Sequence, residues 1–160
     1  MTTLNEDSAV LSLEDAKLLA TLCQQAKLYK VEEWIASGKS LVVPPECKTT
    51  PLEIALDRGF HSLVELLARN DCGQEAKNDS LLDAVSKRSL EFIELLVNHG
   101  ADLSSVPFSH VLLSWDPTIS RFFLERGADF ITGAPFTEAF TAKIRTGSVA
   151  CPRPVRAREP

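Results

Sequence analysis

Thr50-Pro51-Leu52-Glu53-Ile54-Ala55-Leu56-Asp57-Arg58-Gly59-Phe60-His61-Ser62-Leu63-Val64-Glu65-Leu66-Leu67 reads as two short helices with a break between them. Pro51 suits the start of a helix, where a missing N–H costs no intrahelical bond. Leu52 and Ala55 stand three apart and share one helical face. Beyond a break near the seventh position, Leu63, Val64, Leu66 and Leu67 form a second apolar run with the same periodicity.

Working outward, the same pattern recurs in 19–38, 81–100 and 108–127. Each segment leads with a large apolar residue (Leu19, Leu52, Leu81, Phe108) and has a buried-type residue three further on (Leu22, Ala55, Ala84, Val111). The second runs carry Val31, Trp34 and Ile35; Ile93, Leu95 and Leu96; and Ile119, Phe122 and Phe123. Punctuation agrees. Ser12-Leu-Glu-Asp15 offers an N-cap with an acid three residues on, and Asp116-Pro117 a cap followed by proline at the first helical position. Pro107 and Pro135 repeat the placement of Pro51, and Gly38, Gly100 and Gly127 fall where a helix must stop in a left-handed turn. Helices this short are marginal alone in water, so the units must stack and bury a shared apolar face.

The bulk numbers set bounds. The chain of 160 residues fits one domain, and 44% hydrophobic with 24% charged content is ordinary for a globular protein. A net charge of −5 and a pI near 5.2 give no general attraction to nucleic acid or an anionic membrane. No stretch approaches the roughly 20 apolar residues of a membrane span. The N-terminus has no basic region followed by an apolar core, which argues against a secretory signal. Cys23, Cys47, Cys72 and Cys151 are far apart, so reduced thiols in a cytoplasmic protein are expected.

These features resemble the ankyrin repeat family. Thr50-Pro51-Leu52-Glu53-Ile54-Ala55 matches its Thr-Pro-Leu-His-x-Ala signature apart from Glu53, and Gly59 takes the glycine of the turn between helices. Leu63-Val64-Glu65-Leu66-Leu67 looks like its second-helix motif. Gly100-Ala101-Asp102-Leu103 and Gly127-Ala128-Asp129-Phe130 look like the segment leaving each repeat, and Leu19 and Leu52 are 33 apart, the family period. The Pro-Leu-x-x-Ala and Gly-Ala-Asp elements favour this family over a tetratricopeptide or HEAT-like array. The resemblance implies an all-α, ankyrin-like solenoid over residues 12–147, with four full repeats and a partial fifth opening at Ala134-Pro135-Phe136. Residues 1–11 form an N-terminal extension and 148–160 a disordered tail rich in proline and arginine. Later repeats are spaced 29, 27 and 28 apart, so long β-hairpin fingers are expected only near 39–50 and 71–79. The signature histidine, which ties neighbouring turns together in the family, is replaced by Ala20, Glu53, Leu82, Ser109 and Thr137.

Chemistry-bearing residues are sparse. His61, His99 and His110 have no partners at metal spacing, and no HExxH, GxSxG or Gly-rich phosphate loop occurs. Glu32-Glu33 reads as a solvated helix face, Cys23 and Trp34 as core, and Cys47 as the best placed thiol on an exposed finger. Trp115 either anchors a partner or covers the end of the stack, and the apolar run at 41–45 either touches a partner or folds back on the helices.

The function implied by the resemblance is a monomeric, cofactor-free, non-catalytic module that binds another protein, not nucleic acid or membrane, through finger tips and the concave helix surface. Its contact residues would be Gln24 and Gln25; Glu46, Cys47 and Thr49 on the first finger, with Asp57 and Arg58 beside it; Glu75 and Asn78 on the second finger; and Ser86 and Lys87. The rival readings are an enzyme or its regulatory piece, and a structural fragment of a longer protein whose activity lies elsewhere.

Overall fold

The computed structural model describes residues 11–129 and 135–145, with side chains as far as Thr141 in the last helix. Over these residues the chain is all-α. The helices are α1 (Leu13–Gln24), α2 (Leu28–Ala36), α3 (Pro51–Asp57), α4 (His61–Arg69), α5 (Gln74–Ser86), α6 (Leu90–Asn98), α7 (Phe108–Leu113), α8 (Pro117–Glu125) and α9 (Pro135–Arg145), with a 3-10 turn at Leu103–Ser105. Residues 1–10 of the N-terminal extension, Phe130, Ala134, Cys151 and the 148–160 tail lie outside the described residues.

Caps fall where the side chains dictate. Thr50 and Glu53 form a full capping box: the Glu53 N–H donates to Thr50 Oγ1 at 3.2 Å, and the Thr50 N–H to Glu53 Oε2 at 2.7 Å. Glu53 thus closes its own helix. Ser12 caps α1 and Asp116 caps α8, with Pro117 in its first turn.

Each first helix packs on the second helix of its pair, and the first helices pack on one another in the order α1, α3, α5, α7, α9. α2 packs on α4 and α4 on α6 as an outer row. Leu19, Cys23, Leu52, Ala55, Leu81, Ala84 and Val111 are fully buried between first helices and their partners. Val31, Val64, Leu67, Ile93, Leu96, Ile119 and Phe123 close the core from the second helices. Each such large side chain contributes about 1.5–3 kcal/mol of transfer free energy.

The turn inside each pair is the same device four times. Ala26, Gly59, Arg88 and Trp115 have φ of 52°, 69°, 58° and 53°, each two residues past the end of its first helix. In three of them the next N–H reaches back to a helix carbonyl: Lys27 to Leu22, Phe60 to Ala55 and Ser89 to Ala84, at 3.0–3.1 Å. Only one of the four is glycine, so three carry left-handed strain. Gly38, Gly100 and Gly127 end second helices at positive φ, as expected.

Two connections depart from the sequence reading. No strand occurs among the described residues, so 39–50 is an irregular loop rather than a hairpin finger. Its apolar run folds back: Leu41 and Pro44 are buried, Val43 packs on the core, and the Trp34 indole N–H holds the Ser40 carbonyl at 3.2 Å. The second expected finger, 71–79, does not form, because residues from Gln74 onward belong to α5. Ala76 and Ser80 lie one turn apart and extend the buried stripe of Leu81 and Ala84, which makes helix the better use of that segment.

The turn device is open to test by urea denaturation. Gly59 has open space where a Cβ would stand, so Gly59→Ala introduces backbone strain alone and should lower stability by about 1 kcal/mol. Arg88→Gly should change stability in the opposite direction, by less, because glycine also frees the unfolded chain.

Candidate binding surface

Because α1, α3 and α5 pack side by side in chain order, their C-terminal ends form a row. Gln24 and Gln25 stand at the end of α1, Asp57 and Arg58 at the end of α3, and Ser86 and Lys87 at the end of α5; all six are exposed. Helix C-termini carry partial negative charge, which Arg58 and Lys87 complement from their capping positions. The Lys87 ammonium donates to Asp57 of the preceding pair and to Asp83 one turn earlier in its own helix. Partial burial pushes the Lys87 ammonium down, but its hydrogen bonds to Asp57 and Asp83 outweigh this and hold it above the ordinary lysine value. The Ser86 hydroxyl donates to the Leu82 carbonyl. This row unites six of the residues that the sequence proposed.

The remaining five do not join it. Glu46 and Thr49 are exposed on the 37–50 loop, at the N-terminal end of α3. Asp57 and Arg58 are therefore not beside that loop but at the opposite end of a seven-residue helix, about 10 Å away at 1.5 Å per residue. Cys47 is half-buried and packs on the core instead of standing on an exposed tip.

Glu75 and Asn78 are on α5, not on a finger. Glu75 is exposed, but Asn78 is structural. Its Oδ1 accepts from the Asp102 N–H and from Gln74 Nε2, both at 3.0 Å. Gln74 Nε2 also donates to the Gly100 carbonyl at 2.9 Å, and Lys77 Nζ to the His99 carbonyl at 3.1 Å. The extra N-terminal turns of α5 thereby clamp the turn that leaves α6. Sequence reading missed Gln74 and Lys77; the one-turn spacing of Gln74 from Lys77 and Asn78 was the available signal.

Other singled-out side chains take ordinary places. Cys23 is buried, and desolvation pushes its thiol up to about 12; burial also raises Cys72. The His61 ring lies 5.4 Å from that of Phe92, and His99 caps α6. Among the described residues no group of three or more His, Cys, Asp or Glu is placed to hold a metal ion. None of the described helices is long and apolar enough to cross a membrane. Trp34 is core, with Lys39 Nζ 4.2 Å from its ring centroid. Trp115 is largely exposed. Compared with known proteins, the chain matches no protein-family model and no curated protein.

Two measurements check this surface. Because the Lys87 pKa is raised on folding, its stabilising contribution is complete below about pH 10.4, the ordinary lysine value, and is lost as pH rises through the folded value. Lys87→Met should therefore be less stable than the parent at neutral pH, by under about 1 kcal/mol for so exposed a pair, and the gap should close above that range. A thiol reagent at neutral pH should modify Cys47 well before Cys23 or Cys72, which are buried with raised pKa values.

Proposed function

We propose that the chain is an ankyrin-like solenoid of four full repeats and a partial fifth, acting as a non-catalytic module that binds another protein. The carrying observation is the row of helix ends: Gln24, Gln25, Arg58 and Ser86 project from three short helices fixed side by side, around the Asp57–Lys87–Asp83 charge cluster. The shared register of the leading leucines, the capping box at Thr50 and the repeated left-handed turns support the repeat reading.

Such a surface works by rigid presentation. The backbone of packed helix ends is already ordered, so binding costs only side-chain rotamer entropy and spaced polar contacts can add up. The mixture of amides, a guanidinium and paired carboxylates suits a polar protein patch of mixed charge better than a phosphate backbone, which rewards uniform cationic charge. Glu46 and Thr49, at the other end of α3, form a second, separate point of contact. The proposed module is a monomer that needs no cofactor, with the cytoplasm as its place of work.

Affinity capture from a native extract with in-situ crosslinking tests the proposal. The parent chain should recover a partner that the double variant Gln25→Glu, Arg58→Glu loses while keeping its far-UV circular dichroism. Tyr29→Ser, on the exposed side of α2, should recover the same partner. Capture unaffected by the double variant, or abolished equally by Tyr29→Ser, would overturn the assignment of the surface.

A further inference from the structure

Each left-handed turn of the first three pairs carries a cation within one residue of its strained position. Lys27 follows Ala26, Arg58 precedes Gly59, and Arg88 takes that position itself. All three side chains are exposed. The turns follow α1, α3 and α5, which pack side by side in that order. Their cations therefore form a line at intervals of about 10 Å, the ordinary separation of packed helices.

The acids along this line are already engaged. Lys87 holds both Asp57 and Asp83. Asp116, at the next turn, accepts the Thr118 N–H at 2.8 Å. That hydrogen bond leads in holding Asp116 below the usual carboxylate range, and the nearby charge of Arg88 adds to it. Even so, neither Arg88 nor Lys27 nor Arg58 makes an ion pair among the described residues. The mixed charge of the row thus resolves into bonded carboxylates and unpaired cations, on a chain whose net charge is −5.

Spacing then selects the ligand. In the extended polyproline II conformation a peptide brings a side chain back to the same side every third residue, about 9 Å along. Carboxylates at that period fall opposite successive turns. Duplex nucleic acid carries a phosphate about every 3.4 Å along each strand, a closer pitch than the three cations offer, and the overall negative charge of the chain opposes it.

Building on the binding surface proposed above, we infer that its partner is an acidic protein segment. It lies extended across the turns after α1, α3 and α5, with carboxylates at every third residue meeting Lys27, Arg58 and Arg88. The exposed amides of Gln24 and Gln25, at the first of these turns, supply hydrogen bonds to the backbone of that segment.

Fluorescence anisotropy with the full chain tests this. The probe is a dye-labelled peptide with glutamate at every third residue of a proline–serine background, which favours the extended form. It should bind in low salt and weaken as salt rises. Arg58→Glu and Arg88→Glu should each weaken it about fivefold, the worth of one good exposed ion pair. Lys48→Glu, the same change of charge at the other end of α3, should leave binding unchanged. Arg88→Gly relieves the strained turn, so it should weaken binding while gaining stability, and unfolding cannot account for that loss. Equal weakening by Lys48→Glu would overturn the inference, as would equal binding of a peptide whose glutamates are adjacent or replaced by lysine. Tighter binding of an oligothymidylate of the same charge would also overturn it, assigning the turns to nucleic acid. A native partner captured through Gln25 and Arg58, with no binding of the glutamate peptide, would overturn this inference alone and leave the proposed surface standing.

Discussion

The contact between successive first helices is the interaction on which everything else depends. α3, of seven residues, and α7, of six, are too short to persist alone, and even the longest, α5, has only 13. What holds them is a continuous seam: Leu19, Leu52 and Leu81 at one level, and Ala55, Ala84 and Val111 one turn further along. The small residues let the helices approach, and the leucines fill the space between each pair and its neighbour. Among the described residues, α3 and α5 are packed by a first helix on either side, whereas α9 packs on α7 and leaves Phe136 and Phe140 exposed.

The same seam positions the proposed binding surface. Because each first helix ends two residues before a left-handed turn, the helix ends come out level, and their polar residues line up without any loop to order. Lys87 ties two of these ends together through Asp57 and Asp83. At the opposite edge, Gln74, Lys77 and Asn78 hold the 99–102 turn by side-chain hydrogen bonds. They supply a link between pairs that local sequence gave little reason to expect.

Legibility in the sequence followed the reach of the forces involved. Helices were readable because Leu52 with Ala55, or Ile93 with Leu96, mark a face through spacing alone. Helix ends were readable because Pro51, Asp116 and the closing glycines act locally. The segment at 71–79 was misread because Ala76 and Ser80 are small and its polar residues suit a loop as well as a helix; only burial against the neighbouring pairs decides it. Cys47 and the 41–45 run depend on long-range packing and could not be placed from local chemistry. At the site, six residues at helix ends were found together because register fixes them, while the loop group was separated by the length of α3, which a linear reading does not display.

Native-state amide hydrogen exchange, read residue by residue, tests the central claim most directly. If neighbouring first helices supply the stability, the slowest-exchanging amides lie in α3 and α5, sealed on both sides, and protection falls towards α1 and α9. Amides of α1 or α9 protected as strongly as those of α5, or uniform protection along the whole chain, would contradict the account.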